Sequence, residues 1–166
     1  DPGVGVYNLT AVGSEDVFVC KMDPSGNFIW AKSMGGTGSD DGYAIAVDAG
    51  GRPCITGYFG DVADFDPGAG TYNLTSNGSS DIFICKLDSS GNLLWAKSTG
   101  MADLDIGFSI ALDGSGNVYT AGAFQGVAVD FDPGAGASFL SAVGQRDIFV
   151  LKLDASGTFV WAKSMG

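Results

Sequence analysis

Apolar runs of strand length, each broken by a glycine-bearing turn, set the pattern of this chain. Val17-Phe18-Val19-Cys20, Ile82-Phe83-Ile84-Cys85 and Ile148-Phe149-Val150-Leu151 do not alternate apolar with polar, and neither does Leu93-Leu94-Trp95-Ala96. A continuous apolar run of this length predicts a strand covered on both faces. A second kind of segment alternates large with small: Tyr43, Ile45 and Val47 against Ala44 and Ala46, then Phe108, Ile110 and Leu112 against Ser109 and Ala111. Small side chains on one side suit a crowded place where sheets converge.

The runs come in pairs. Asp16–Met22 and Phe28–Ser33 flank Asp23-Pro24-Ser25-Gly26-Asn27, and the same hairpin returns over Asp81–Ser98 and Asp147–Ser164. A second hairpin joins Tyr43–Val47 to Pro53–Phe59 across Asp48–Arg52, and Phe108–Leu112 to Val118–Phe124 across Asp113–Asn117. In each turn an Asp opens the loop through its side chain and a Gly supplies the positive φ of a short hairpin with a bulge. Trp30, Trp95 and Trp161 mark a period of about 65 residues, and a hairpin returning at a fixed interval is a repeat signal.

Each repeat therefore holds four antiparallel strands: A (Tyr43 type), B (Pro53 type), C (Asp81 type) and D (Leu93 type). The predicted fold is all-β: β-propeller blades of four antiparallel strands. A β-solenoid would repeat at ~20–30 residues and lack paired tight hairpins. Residues 1–34 form a C–D half blade, 35–99 a blade and 100–166 a blade, about two and a half blades of an incomplete wheel. Propellers close with roughly four to eight blades. The partners expected first are therefore the remaining blades of a longer chain, or copies of this one. The start at Asp1, in mid-repeat and without a basic, apolar leader, reads as a processed product or a window on something longer.

The residues resemble a known family, the bacterial secreted beta-propeller repeat (SBBP-like repeats of Bacteroidetes-type cell-surface proteins). Its inner hairpin is similar to Ala44-Ile45-Ala46-Val47-Asp48 through Gly57, and to Ser109-Ile110-Ala111-Leu112-Asp113 through Gly122. Its outer hairpin is similar to Asp81 through Trp95 and the two relatives of that stretch. The resemblance covers nearly the whole chain, although Arg52-Pro53-Cys54 departs from the usual Asn-Val-Tyr. It implies a multi-bladed wheel in an extracellular or bacterial cell-surface location, and it implies no reaction.

Composition narrows the function. Eighteen Asp and one Glu against eight Lys and Arg give a formal charge of −11. Nucleic acid needs Lys/Arg neutralisation of its phosphates and is a poor partner, whereas an acidic surface suits cations and solubility. No apolar run approaches the ~18 residues of a membrane-spanning helix. Histidine is absent, which removes the commonest general base and metal ligand. Cys20 and Cys85 occupy a position that holds Leu151 in the third copy, so they read as buried apolar residues. No disulfide is expected of them or of Cys54, and three thiols without C-x-x-C argue against zinc.

In a propeller the A–B and C–D turns lie on one face, and the B–C and D–A connections on the other. Here the first set is uniform and short. The second set is long and acidic, with Asp40, Asp41, Asp64, Asp66, Asp103, Asp105, Asp130 and Asp132. Binding residues concentrate on loops held by a rigid scaffold. Asp64-Phe65-Asp66 and Asp130-Phe131-Asp132 place two carboxylates at i and i+2, on one side of an extended segment. With glycine-turn carbonyls they could hold Ca²⁺, which takes six to eight hard oxygens; the alternative is that Asp-Pro-Gly only shapes a turn. These four residues are the candidate metal ligands. No catalytic residue is assigned, because a carboxylate pair recurring identically in successive blades is unlike the single asymmetric pair of a glycosidase. Asn8, Asn73 and Asn77 lie in N-x-S/T sequons, and the three tryptophans read as packing between blades.

The function expected is a non-enzymatic extracellular scaffold or interaction module within a larger secreted or cell-surface propeller protein. It binds a protein or glycan through its acidic B–C and D–A loops. The alternatives are a structural subunit of a surface filament, or part of a glycan-active propeller enzyme.

Overall fold

The computed structural model describes residues 3–166; Asp1 and Pro2, which open the leading connection, lie outside the described residues. All regular elements among them are strands: β1 (Val17–Met22), β2 (Phe28–Gly36), β3 (Asp40–Val47), β4 (Pro53–Phe59), β5 (Val62–Asp64), β6 (Asn73–Thr75), β7 (Asp81–Leu87), β8 (Leu93–Thr99), β9 (Ile106–Leu112), β10 (Val118–Phe124), β11 (Val129–Asp130), β12 (Phe139–Leu140), β13 (Asp147–Leu153) and β14 (Phe159–Met165). No helix is long and apolar enough to cross a membrane.

Two sheets are complete blades, ordered β3-β4-β7-β8 and β9-β10-β13-β14, with every neighbouring pair antiparallel. The A, B, C, D order is therefore the order along the chain. Each hairpin is set by its turn. Asp23 Oδ1 accepts the N–H groups of Ser25 and Asn27 at 2.8 Å, and Gly26 takes φ 81°. The same acceptance recurs at Asp48, Asp88, Asp113 and Asp154. A bulge follows the lysine of every C strand, at Lys21, Lys86 and Lys152.

The leading half blade differs from expectation. Its C and D strands, β1 and β2, belong to a four-stranded sheet ordered β1-β2-β5-β6. The connection Gly60–Ser80 is not irregular: it folds into the hairpin β5–β6, and β5 pairs with the far end of β2 through Gly35↔Asp64 and Gly36↔Ala63. A β-carbon on Gly36 would collide with the Val62 carbonyl, so this close approach requires glycine. The B–C insert of one blade thus pairs with the far end of the outer strand of the blade before it. The second insert forms β11–β12 and reaches the preceding D strand through Thr99, whose Oγ1 donates to the Asp130 carbonyl at 2.5 Å.

The core lies between sheets. One cluster joins Val17, Val19 and Met34 of the half blade to Phe83, Cys85 and Leu87 of the next blade. Another joins Ile82 and Ile84 to Phe149, Leu151 and Leu153. Successive residues of β7 thus serve opposite interfaces, and all seven are buried. Where no neighbour stands, the apolar runs show one bare face. Phe18 is 70% exposed and Ile148 54% exposed. Ile45 is 54% exposed while its repeat equivalent Ile110 is 9% exposed, because Ile45 faces the place where the half blade lacks its A and B strands. Cys20 is exposed for the same reason, a correction to the buried position expected of it. Cys54 and Cys85 are buried, and all three thiols are free. The sheets do not close, and the architecture is that of incomplete propeller blades.

Candidate functional site

The B–C inserts are the elaborated loops, and the two copies are built alike. Asp64 Oδ1 accepts N–H from Asp66 at 2.9 Å and from Tyr72 at 2.8 Å; Asp130 Oδ1 accepts from Asp132 at 3.0 Å and from Ser138 at 2.8 Å. Asp66 and Asp132 each accept the N–H of the glycine two residues on, at 2.8 Å. These four carboxylates shape the loop. The phenylalanine between each pair points the other way and is fully buried. Phe65 packs against Phe59 and Phe83 at ring separations of 5.4 and 4.9 Å, and Phe131 against Phe124 and Phe149 at 5.1 and 4.9 Å. The motif is a plug, in which the acids fold the loop so that the ring can enter the core. Among the described residues no group of three or more His, Cys, Asp or Glu converges as for a metal ion.

Comparing the two inserts separates scaffold from surface. The inward positions keep their character: Ala63 and Val129, Phe65 and Phe131, Leu74 and Leu140. Among the outward positions Gly68-Ala69-Gly70 is repeated as Gly134-Ala135-Gly136, but three others change. Asp61 is replaced by Val127, Asn73 by Phe139 and Asn77 by Val143, and all six are exposed. The second insert thereby presents Val127, Phe139 and Val143 to solvent at 78, 63 and 75% exposure.

Asp40 and Asp105 are not surface acids of the loop face, as their place in long connections suggested. Both are wholly buried where one blade meets the next. Asp40 accepts N–H from Gly36 at 2.6 Å and Gly60 at 3.3 Å, and Asp105 from Met101 and Gln125 at 2.9 Å each. Each faces a second carboxyl from the start of the preceding C strand, Asp16 and Asp81 respectively. The two strands are tied there by short parallel bridges, Glu15↔Ser39 and Ser80↔Leu104. A β-carbon at Gly100 would stand 2.7 Å from Asp81 Oδ1 and 2.9 Å from Asp105 Oδ2; at Gly35 it would stand 2.8 Å from both Asp16 Oδ1 and Asp40 Oδ2. Asp81 Oδ2 accepts from the backbone N–H and side-chain amide of Asn77, at 3.1 and 3.3 Å. Asp81 Oδ1 and Asp16 Oδ1 are buried with no hydrogen-bond partner among the described residues. Burial, then the charge of Asp105, pushes the Asp81 carboxyl up to about 6. Burial also raises Asp105 and Asp40, with Asp16 adding to the rise at Asp40.

The opposite, tight-turn face holds a cleft of about 700 Å³ between blades. The A–B turns of both blades and the C–D turn of the second line it together, which puts all three turns on one face. Lys86, 2% exposed, lies at its floor with Nζ 3.6 Å from Asp48 Oδ2. The tryptophans lock blade to blade on this side. Trp30 Nε1 donates to the Ser89 carbonyl and Trp95 Nε1 to the Ala155 carbonyl, both at 3.3 Å. Each indole also lies against the turn glycine of the next blade, Gly91 or Gly157. Lys21 adds a hydrogen bond to the Ser89 carbonyl at 2.8 Å.

With this geometry in place, comparison with known proteins is informative. The chain is 28% identical over 180 residues to the uncharacterized WD repeat-containing protein L264 of Acanthamoeba polyphaga mimivirus, across 99% of this chain and 13% of that protein. It is 26% identical over 134 residues to the regulatory protein FlaEY of Caulobacter vibrioides, across 78% of this chain and 14% of that protein. The repeat is of the propeller kind. No family model matches this chain. It spans about one seventh of the length of either relative.

Three features escaped the sequence reading: the insert hairpins, the buried phenylalanine plugs and the paired carboxyls at the blade boundaries. A signal for the last existed. Asp16, Asp81 and Asp147 open every C strand, and an acid repeated at the start of an otherwise apolar run has a structural partner to find.

Proposed function

We propose that this segment is a non-enzymatic interaction module of an extracellular or bacterial cell-surface propeller protein, and that it binds a partner protein through the B–C inserts. The observation that carries this reading is the change at three exposed positions of the inserts, Asp61 to Val127, Asn73 to Phe139 and Asn77 to Val143, on an otherwise repeated frame. Exposed loop residues that change on a rigid frame are the usual site of recognition. Exposed apolar side chains rimmed by acids suit a protein surface more than a purely polar one. The secreted setting rests on the resemblance of the repeats to those of Bacteroidetes-type surface proteins, and the interaction role on the likeness to a WD-repeat protein. Any calcium dependence is assigned to Asp64, Asp66, Asp130 and Asp132, whose Oδ2 atoms take no hydrogen bond from the described residues.

A photo-crosslinking amino acid at position 139, on a bacterium displaying the segment, tests the reading against the same group at position 115 on the tight-turn face. A discrete adduct from 139 that disappears on Val127→Ser with Val143→Ser is expected. Adducts from 115 alone would overturn the assignment of the face. Turnover of chromogenic glycosides that is abolished by Asp64→Asn would overturn the non-enzymatic reading.

A further inference from the structure

We propose that the boundary between the two complete blades carries a pair of carboxyl groups, Asp81 with Asp105, that shares one proton, so the seam there is tightened by mild acid and strained above neutrality.

The hydrogen bonds already made leave one place for that proton. Asp81 Oδ2 is committed to Asn77, and both oxygens of Asp105 accept backbone N–H groups. Only Asp81 Oδ1 has no partner, and it is buried. It and Asp105 Oδ2 lie within 3 Å of the same point, beside Gly100. A proton on Oδ1 makes Asp81 a donor toward the Asp105 carboxylate and relieves the orphaned oxygen and the like-charge contact together. The second boundary repeats the arrangement. There Asp16 Oδ1 has no partner, and Asp40, beside Gly35, already accepts two N–H groups. Asp147 Oδ2 accepts the Val143 N–H in the same way, and Gly166 stands beside it.

Nearby acids outnumber cations around the pairs. Asp103 adds negative charge at Asp105, offset in part by Arg146, and Asp41 adds to it at Asp40. Asp105 itself is the acid nearest Asp81.

The direction with pH follows. Asp81 binds its proton more tightly folded than unfolded, with the folded value about 6. Its contribution to stability is full below the ordinary Asp range and is lost as pH rises through about 6. The turn acids Asp23, Asp88, Asp113 and Asp154 run the other way: hydrogen bonds hold them below the usual range, so their contribution is lost only in stronger acid. Around pH 6 the raised Asp81 carboxyl makes stability fall as pH rises. The two protons of a pair belong to the pair, so its titration is macroscopic.

Asp81→Asn is the test. An amide in place of the carboxyl presents N–H₂ to Asp105 and keeps a carbonyl for the Asn77 N–H, mimicking the protonated state at every pH. Urea unfolding of the 166-residue chain at pH 5 and pH 8 is expected to show the wild type more stable at pH 5. The unfolding constant of Asp81→Asn at pH 8 should be lower than that of the wild type by about tenfold, the equivalent of one pKa unit. Direct carboxyl ¹³C titration of the wild type should show an Asp81 midpoint near 6, a readout that stands even if the variant does not fold. A midpoint at or below the ordinary Asp value, or a variant less stable than wild type at pH 8, would overturn the proposal. So would calcium at pH 8 restoring the pH 5 stability of the wild type, since the pair would then be a cation site.

Discussion

Replacing Phe131 by alanine is the sharpest trial of the claim that the Asp-Phe-Asp motif is a core plug. The side chain is fully buried, with Phe124 edge-on at 85° and 5.1 Å and Phe149 tilted at 4.9 Å. Truncating a buried phenylalanine costs about 3–5 kcal/mol in transfer and cavity terms, within which each aromatic pair accounts for about 0.5–1.5 kcal/mol. The plug sits on a hairpin only two residues per strand long, which can settle inward, so the lower end applies: about 3 kcal/mol. That is a large share of the ~5–15 kcal/mol by which domains are stable. Urea unfolding followed by tryptophan fluorescence, with a common slope for wild type and variant, measures it. Trp95 lies at the seam beside the affected core and reports locally. Phe65→Ala provides an internal replicate, since its ring geometry is nearly the same. A loss below about 1 kcal/mol at both sites would refute the plug and return the motif to a surface role.

Two further outcomes follow from close approach and burial. Gly122→Ala places a β-carbon against the Ile106 carbonyl and 2.7 Å from the Phe149 ring, whereas at Gly114 nothing lies within 4 Å. The first should cost about 1–3 kcal/mol or more and the second stay within about 0.5 kcal/mol, as read by thermal melting; equal effects would contradict the packing. With Ellman's reagent under native conditions one thiol of three should react, Cys20, with the other two following only in urea. Cys54 is buried and its thiol pushed up to about 12, and burial, with Cys54 nearby, raises the Cys85 thiol well above the ordinary range. Two fast thiols would show the seam to be open.

Much of the fold was legible because its grammar is local. An Asp, a Gly and an Asn at fixed offsets specify a turn whatever lies elsewhere in the chain, and the unbroken apolar run of β7 announces burial on both faces, whereas Leu94 in the run Leu93–Ala96 stands 48% exposed because the D strand is the outer one. β4 and β7 begin and end where the pattern places them. What escaped was decided at long range. β5 and β6 are three residues each, too short for a period to show, and β5 exists because Gly35 and Gly36, a whole hairpin earlier, offer it an edge. Phe65 between two acids reads as a polar stretch, yet alternation alone sends the ring inward while the acids turn out. Asp81 and Asp105 meet only through the wheel's topology, with the whole β7–β8 hairpin and a loop between them. Cys20 shows the reverse: the residue type is right for burial, and the missing neighbour leaves it bare.

The clasp of β5 on β2 gives the array a direction. The end of one blade's outer strand is clasped by residues that come later in the chain, as each course of roof tiles is covered by the next. During synthesis the finished blades lie on the N-terminal side, and the exposed edge always travels with the newest one. A break in the chain would then be asymmetric in its effects: loss of a later blade uncovers the end of the one before it, while loss of an earlier blade leaves the clasps between later blades in place.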